Sequence, residues 1–148
     1  MTTPALQTSA AKSILLLGNP NVGKTTLFNR LCGLRSATAN FPGSTVEARK
    51  GISSYADIKR TFTDLPGIYS LSATDELSIV CRKALDGEGC DPPNAVVVVA
   101  DATNLRRNLT IVNEVLHRDV PCVVALSMVD IAQKSGLTIA TEKFGEKL

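Results

Sequence analysis

Residues 18–26 have the types and the spacing needed to bind phosphate. They match the pattern G-x-x-x-x-G-K-[ST]. In such a loop the glycines let backbone N–H groups turn inward around a phosphate, the lysine adds a positive charge, and the following hydroxyl binds Mg²⁺. We therefore predict a nucleoside-triphosphate site. Its nine residues are Gly18, Asn19, Pro20, Asn21, Val22, Gly23, Lys24, Thr25 and Thr26.

The residues on either side of this loop support the prediction. Residues 14–17 are a short apolar run of the kind that forms a buried parallel strand. After the loop, apolar residues follow helical spacing, so we expect a helix over 24–32 that Gly33 ends. Strand, loop and helix in this order place the lysine and the first threonine at a helix N-terminus, where phosphate binds.

A second motif, Asp64-Leu65-Pro66-Gly67, closes a predicted strand about forty residues later. Beside a phosphate loop, an aspartate at a strand end holds Mg²⁺ through water. The N–H of the following glycine can bond the γ-phosphate and lose that bond on hydrolysis. We predict these roles for Asp64 and Gly67.

The segment between the two motifs supplies a further candidate magnesium ligand. Asn-Phe-Pro-Gly at 40–43 favours irregular backbone, so we expect 34–44 to be a mobile loop. A threonine there can bind Mg²⁺ through its hydroxyl when triphosphate orders the loop. Our choice is Thr45, with Thr38 and Ser44 as competitors.

The base of the nucleotide is expected beside Ser127, Met128 and Asp130, after the apolar strand 120–126. A carboxylate such as Asp130 accepts hydrogen bonds from guanine N1–H and N2–H₂, a pair that adenine does not present. The expected pattern is N-x-x-D, but serine stands in place of asparagine. Ser127 is too short to bond both base and phosphate loop, which leaves base selectivity open.

The remaining patterns predict an α/β fold in one domain, over 13–148, behind a disordered segment 1–12. We expect an antiparallel hairpin of strands 45–52 and 55–63 with its turn at 51–54, and a central strand at 95–100. Further helices are expected from about 76, over 104–117, and from 129 onward with a break at 135–136.

Composition narrows the possible partners. The formal charge is +2 and no basic patch stands out, so nothing indicates nucleic acid. The four cysteines have neither C-x-x-C spacing nor nearby histidines, and are expected to be free thiols. No apolar stretch approaches the ~20 residues that span a bilayer, so we expect the chain itself to be soluble.

These motifs together resemble the cytosolic G domain of the bacterial ferrous-iron transporter family FeoB. The resemblance covers 13–130 and includes the stretches 18–29, 41–47, 64–71 and 101–109. It implies a Ras-like P-loop GTPase fold, with a mostly parallel sheet flanked by helices, that binds GTP and GDP and hydrolyses GTP slowly. It also implies a membrane transport region in the full-length protein, with this domain at the cytoplasmic face of the bacterial inner membrane.

The resemblance also implies how hydrolysis proceeds. Members lack the glutamine that Ras-like proteins carry after D-x-x-G, and Ile68 holds that position here. Related potassium-stimulated GTPases hold K⁺ with a phosphate-loop asparagine, which is Asn21 in this chain. The catalytic residues are then expected to be Asn21, Lys24, Thr45 and Gly67, with Mg²⁺ on Thr25, Thr45 and Asp64 and K⁺ on Asn21.

Two other functions stay open at this stage. Serine at position 127 favours a relaxed NTPase that accepts ATP as well as GTP. Ile68 and the mobile loop favour a non-catalytic module that changes conformation with its nucleotide.

The sequence stops at Leu148, before the strand and serine-containing loop that normally pack against the base. The fold is therefore expected to lack its last strand. A sheet that ends at strand 120–126 exposes a β-branched edge, which favours a homodimer by edge pairing or element exchange. The rival arrangement is a helix over 138–147 that covers this edge.

Overall fold

A computed structural model describes residues 11–146 and places them around one six-stranded sheet, in the order β2-β3-β4-β1-β5-β6. The strands are β1 (Lys12–Gly18), β2 (Ser36–Asn40), β3 (Glu47–Tyr55), β4 (Ile58–Asp64), β5 (Ala95–Asp101) and β6 (Cys122–Ser127). The helices are α1 (Lys24–Cys32), α2 (Glu76–Asp86), α3 (Leu105–Leu116), α4 (Val129–Lys134) and α5 (Thr141–Gly145). A single turn of 3₁₀ helix, Ala102–Asn104, precedes α3.

Strands β4, β1, β5 and β6 run parallel, while β2, β3 and β4 are joined as antiparallel neighbours. The carboxyl ends of the parallel strands lie at one edge of the sheet. Gly18, Asp64 and Ser127 end three of them. In open α/β sheets ligands bind at this edge, so the topology brings the predicted motifs to one side of the molecule.

Alternation along β1 divides the core between the two faces of the sheet. Leu15 and Leu17 face the larger cluster, which contains side chains of α2 and α3. Leu16 faces the opposite way and packs with Phe28 and Cys32 of α1. Helices thus cover both faces, as a buried parallel strand requires.

The cysteines are free, as expected from the sequence. Burial raises the pKa of the Cys81 thiol to about 12, so this group is protonated at neutral pH. Its position behind the second motif is structural, because its Sγ lies 3.7 Å from the carbonyl oxygen of Pro66.

The segment 34–44 is not wholly irregular, so that part of the prediction was wrong. Residues Ser36–Asn40 form β2, which pairs with β3 from Ser36↔Gly51 to Asn40↔Glu47. The strand sequence Ser-Ala-Thr-Ala-Asn is exposed and lacks the alternation of large apolar and polar residues by which a strand is recognised. The sequence therefore could not predict β2. After it, Phe41 is buried at 4% exposure.

The hairpin was predicted correctly but its turn was misplaced. The turn lies at Ala56 and Asp57, which have φ of 51° and 61°, rather than at 51–54. Positive φ at both central residues is typical of the two-residue hairpin turns whose twist matches that of the strands. The sequence Ala-Asp is not one of the pairs that favour such a turn, so the sequence did not reveal its position. Gly51 lies inside β3, against Cys32 and Phe28 of α1.

Two other expectations change in detail. Strand β5 lies between β1 and β6, so the centre of the sheet is β4 and β1 rather than 95–100. Strand β1 begins at Lys12, inside the segment predicted as disordered, and the remainder of that prediction, 1–10, lies outside the described residues. The break at 135–136 is confirmed, between α4 and α5.

Strand β6 forms an edge of the sheet, and Val123 on it is 58% exposed. Helix α5 lies beside this strand, with Phe144 and Val123 lining the same cavity of about 430 Å³. Self-association through this edge stays a prediction. In the region 11–146, no helix has both the length and the apolar character to cross a membrane.

The contact of α1 with Gly51 gives a test of the fold. A Cβ at this position would lie 2.6 Å from both Cβ and Sγ of Cys32. Gly51→Ala should therefore lower the free energy of unfolding by about 1–3 kcal/mol, the usual cost of overpacking a core. Gly145→Ala is the matched control, because a Cβ there meets no described atom within 4 Å. Equal denaturant midpoints for the two variants would contradict the close packing.

Candidate functional site

A cleft of about 740 Å³ opens at the carboxyl edge of the sheet, over the phosphate loop. It is large enough for a nucleotide-sized ligand. Its lining combines the first and second sequence motifs with one residue from the base-side stretch. The lining residues are Asn19, Pro20, Asn21, Gly23, Lys24, Thr25, Thr26, Gly67, Leu77 and Met128.

The backbone of the phosphate loop takes the unusual conformation that anion binding needs. Asn21 and Gly23, on either side of Val22, have φ of 62° and 87°. Alternation of left-handed and ordinary backbone conformations turns neighbouring N–H groups toward one side. Gly18 must be glycine, since a Cβ there would lie 2.6 Å from the carbonyl oxygen of Val99. The side chain of Val22 is buried, so only its backbone can serve a ligand.

Helix α1 begins inside this loop and presents two of the predicted residues. Gly23 is its N-cap, and Lys24 and Thr25 are its first two residues. The first N–H groups of a helix lack partners within the helix, and its dipole favours negative charge at this end. The helix start thus adds to the charge of Lys24 in attracting an anion.

Lys24, Thr25 and Asp64 form one cluster. The Nζ of Lys24 lies 2.5 Å from Oδ1 of Asp64, and the hydroxyl of Thr25 donates to Oδ2 at 3.0 Å. Lys24 is 8% exposed and Asp64 is 6% exposed. A charge buried this far requires a partner, and each of the two ionic groups here provides it for the other.

The second motif lies directly against the phosphate loop. A Cβ on Gly67 would be 2.8 Å from both Cα and N of Pro20, so only glycine allows this approach. The N–H of Ile68 donates to the carbonyl of Gly18 at 3.2 Å. Ile68 itself is 3% exposed and packs into the larger core cluster, so its side chain does not face the cleft.

Thr45 is not brought to the cluster of Lys24, Thr25 and Asp64. It is exposed, and its hydroxyl donates to Oε1 of Glu76 at 3.2 Å. Ser44 donates to the same oxygen at 3.0 Å, and Thr38 lies on the exposed strand β2. All three candidates from the predicted mobile loop therefore lie outside the cleft lining in this structure.

The base-side residues lie where β6 passes into α4. Met128 has φ of 55° and lines the cleft, and Asp130 is exposed in the first turn of α4. The hydroxyl of Ser127 donates to the carbonyl of Ala100 at 3.3 Å. A Cβ on Gly23 would lie 3.8 Å from Cβ of Ser127, so the serine is beside the phosphate loop but directs its hydroxyl elsewhere.

Sequence reasoning missed several residues around the cleft. Leu77 of α2 lines it, and no pattern distinguishes this leucine from a core residue. Asn19 was predicted, but not its burial at 3% exposure with both side-chain polar atoms unpaired among residues 11–146. Glu114 of α3 binds the segment that follows Gly67, across a sequence separation that local patterns cannot detect.

Comparison with known proteins identifies the family. The sequence model described as Ferrous iron transport protein B matches residues 12–148. The Fe(2+) transporter FeoB of Shigella flexneri is 40% identical over 141 residues, which is 92% of this chain and 18% of that protein. The chain thus spans about a fifth of the length of the curated relatives that it matches.

Solved structures show the same fold. The G domain of the T. maritima FeoB iron transporter superposes with a TM-score of 0.83 at 33% identity, covering 93% of this chain and 82% of that one. An S. thermophilus NFeoB variant bound to GDP gives 0.79 at 36% identity, covering 89% and 50%. The expected Ras-like P-loop GTPase fold is confirmed, and the chain belongs to the ferrous iron transport protein B family, as a G domain.

Proposed function

We propose that this domain binds GTP, hydrolyses it to GDP and phosphate, and thereby regulates or powers ferrous-iron transport in a full-length protein. The observation that carries the proposal is the cluster of Lys24, Thr25 and Asp64 at the start of α1. It combines a cation for phosphate with a hydroxyl and a carboxylate for a hard metal ion. The GDP-bound S. thermophilus relative supports the choice of nucleotide.

The phosphates are bound by the loop and by Lys24. Loop N–H groups and the start of α1 surround the β-phosphate, and the Lys24 ammonium moves from Asp64 onto the β- and γ-phosphates. The ion pair with Asp64 keeps this ammonium at the cleft while no phosphate is bound. Binding therefore exchanges one anionic partner of the lysine for another.

The oxygen donors at the cleft fit Mg²⁺, which binds through one or two protein oxygens together with substrate phosphates. Thr25 would supply a hydroxyl, and Asp64, once freed from Lys24, would supply a carboxylate. Thr45 could join them only after its hydroxyl leaves Glu76, so ordering of its loop would accompany triphosphate binding. When bound, Mg²⁺ neutralises charge on the β- and γ-phosphates.

Hydrolysis is in-line attack of water on the γ-phosphorus, with cleavage of its bond to the β,γ-bridging oxygen and release of GDP and phosphate. Gly67 donates its N–H to the γ-phosphate and loses that bond with the product. Because Ile68 is buried, no side chain at that position orients the water. Asn21, which is exposed in the cleft, would hold K⁺, and this ion would supply an additional positive charge for the phosphates.

A second candidate function is a relaxed NTPase that hydrolyses ATP as well as GTP. The bond of Ser127 to Ala100 favours it, because this hydroxyl is used within the sheet rather than on the base or the loop. Asp130 then carries guanine recognition alone. The buried position of Ile68 favours a third candidate, a binding module that changes conformation without appreciable hydrolysis.

The proposed place of the domain in a cell is supported by the relatives. They are Fe(2+) transporters of which the chain covers 18%, and the proposal assigns a membrane transport region to the length that the chain does not cover. The proposed location is the cytoplasmic face of the bacterial inner membrane. The partners are then GTP, GDP and that transport region.

The binding site is tested first with Lys24→Ala. Without the ammonium, affinity for both GTP and GDP should fall below detection, because no other side chain of the cluster is cationic. Binding is measured by titration with fluorescent nucleotides, and thermal melting checks that each variant is folded. Lys59→Ala, at an exposed position of β4, is the control and should bind normally. Unchanged affinity in Lys24→Ala would refute the site.

The cation role of Asn21 is tested by hydrolysis in K⁺ or Na⁺ as the sole monovalent ion. The unaltered chain should hydrolyse GTP faster in K⁺, because the bound ion stabilises charge at the phosphates. Asn21→Ala should show equal rates in both salts while GDP binding persists. Equal rates in the unaltered chain would leave Asn21 without this role.

Base selectivity is tested with Ser127→Asn. Asparagine restores the missing hydrogen-bonding group, and a good base-reading pair is worth ~1–3 kcal/mol in nucleic-acid recognition. The preference for GTP over ATP should therefore increase about ten-fold or more, measured as the ratio of the two affinities. Ser127→Ala is the matched control and should leave the ratio as it is. A ratio that Ser127→Asn does not change would mean that the base is held in another way.

A further inference from the structure

A carboxylate on α3 holds the segment that follows the γ-phosphate sensor. Glu114 accepts hydrogen bonds from the hydroxyl of Ser70 at 2.6 Å, the N–H of Leu71 at 2.6 Å, and the N–H and hydroxyl of Ser72 at 3.2 and 2.8 Å. Both carboxylate oxygens are used, Oε2 by Leu71 and Oε1 by the others. Hydrogen bonds to an ionised group are roughly twice as strong as neutral ones.

We propose that Glu114 is a positioning residue that holds Gly67 against the phosphate loop, ready to meet the γ-phosphate. The inference rests on the proposed function, since it assigns a role in recognising GTP. Glu114 is not one of the residues that line the cleft, and its hydrogen bonds go to residues 70–72 rather than to the phosphate loop. It acts through the four residues between Gly67 and Ser72.

These intervening residues have little freedom to absorb a displacement. Ile68 and Leu71 are buried at 3% and 2% exposure, so both ends of the short connection are fixed in the core. The Tyr69 ring between them is covered by the guanidinium of Arg107, 4.3 Å from the ring centre. Gly67 is thus joined to residues 70–72 by a short, well-packed connection.

A second side chain holds the same segment from the other side. Arg82 of α2 donates to the carbonyls of Leu71 and Ala73. Glu114 pairs with N–H and O–H donors and Arg82 with carbonyls, so the backbone is bound from two helices by complementary groups. The loop after Gly67 is thereby fixed before any nucleotide is present.

The charges near Glu114 are consistent with an ionised carboxylate. Arg82, His117 and Arg118 line the same cavity, and Arg118 is already paired with Asp86. Burial raises the pKa of Glu114, but the hydrogen bonds from the two serines and the loop backbone outweigh it and hold the pKa below its usual value. The group accepts these bonds at neutral pH.

Loss of the carboxylate should affect triphosphate binding and spare diphosphate binding. GDP has no γ-phosphate for Gly67 to meet, and its β-phosphate is bound by residues that Glu114 does not contact. With Glu114 removed, residues 70–72 lose their anchor on α3 and sample more conformations, although Arg82 still holds the segment. Restricting them again when Gly67 meets the γ-phosphate costs free energy, which lowers the apparent affinity for GTP alone.

The experiment compares Glu114→Ala and Glu114→Gln with the unaltered chain, titrating GDP and a non-hydrolysable GTP analogue in the presence of Mg²⁺. Glu114→Ala should lower affinity for the analogue about ten-fold and change affinity for GDP by less than two-fold. Glu114→Gln keeps one acceptor oxygen and should fall between. Glu142→Ala, an exposed glutamate of α5, is the charge-matched control and should behave as the unaltered chain.

Each other outcome has a definite meaning. Equal loss for both nucleotides, or no loss for either, overturns the role of Glu114 as a positioning residue. If melting shows that Glu114→Ala is unfolded, Glu114→Gln decides the question through the ratio of its affinities for the GTP analogue and for GDP. If the unaltered chain binds neither nucleotide, the proposed function is wrong and the inference is overturned with it. If the unaltered chain binds both nucleotides but neither Glu114 variant changes the ratio of the two affinities, the inference about Glu114 is overturned and the proposed function stands.

Discussion

The buried ion pair between Lys24 and Asp64 is the constraint on which the rest of the site depends. It joins the start of α1 to the end of β4, and Thr25 binds the same carboxylate. Two buried charges are costly to desolvate, and well-packed apolar residues in their place are often as stable. The pair lies at the phosphate-loop cleft, where under the proposed function a phosphate would replace Asp64 as the partner of Lys24.

The parallel sheet makes this pair possible. Strands β1 and β4 are neighbours in register from Lys12↔Arg60 to Leu16↔Asp64, so the end of β4 lies beside the loop that leaves β1. Gly18 and Gly67 then let two backbones approach where any Cβ would collide with main-chain atoms. Both glycines are required for packing at the cleft, and the mobility usually associated with glycine is not their purpose here.

Much of this arrangement could be predicted because its signals are local. The phosphate loop, Asp64-Leu-Pro-Gly67 and the apolar strands each carry their pattern within a few residues. Strand β2 could not be found, since its Ser-Ala-Thr-Ala-Asn sequence is exposed and is stabilised by backbone pairing with β3. The hydrogen bond of Thr45 to Glu76 was also undetectable, because it joins positions separated by 31 residues and neither shows a pattern on its own.

The sequence could not reveal the contacts that set the conformation of the two segments proposed to sense the nucleotide. Thr45 is held by the first residue of α2, outside the cleft, so its segment would have to rearrange for Thr45 to take its proposed role at a metal ion. Gly67 already lies against Pro20, and Glu114 and Arg82 fix the segment behind it. Gly67 is thus already in place beside the phosphate loop, whereas Thr45 is held away from it. Under the proposed function, discrimination between GTP and GDP would depend on a pre-formed contact at Gly67 and on an ordering step at Thr45. Only the step at Thr45 would have to overcome a competing hydrogen bond, the one to Glu76.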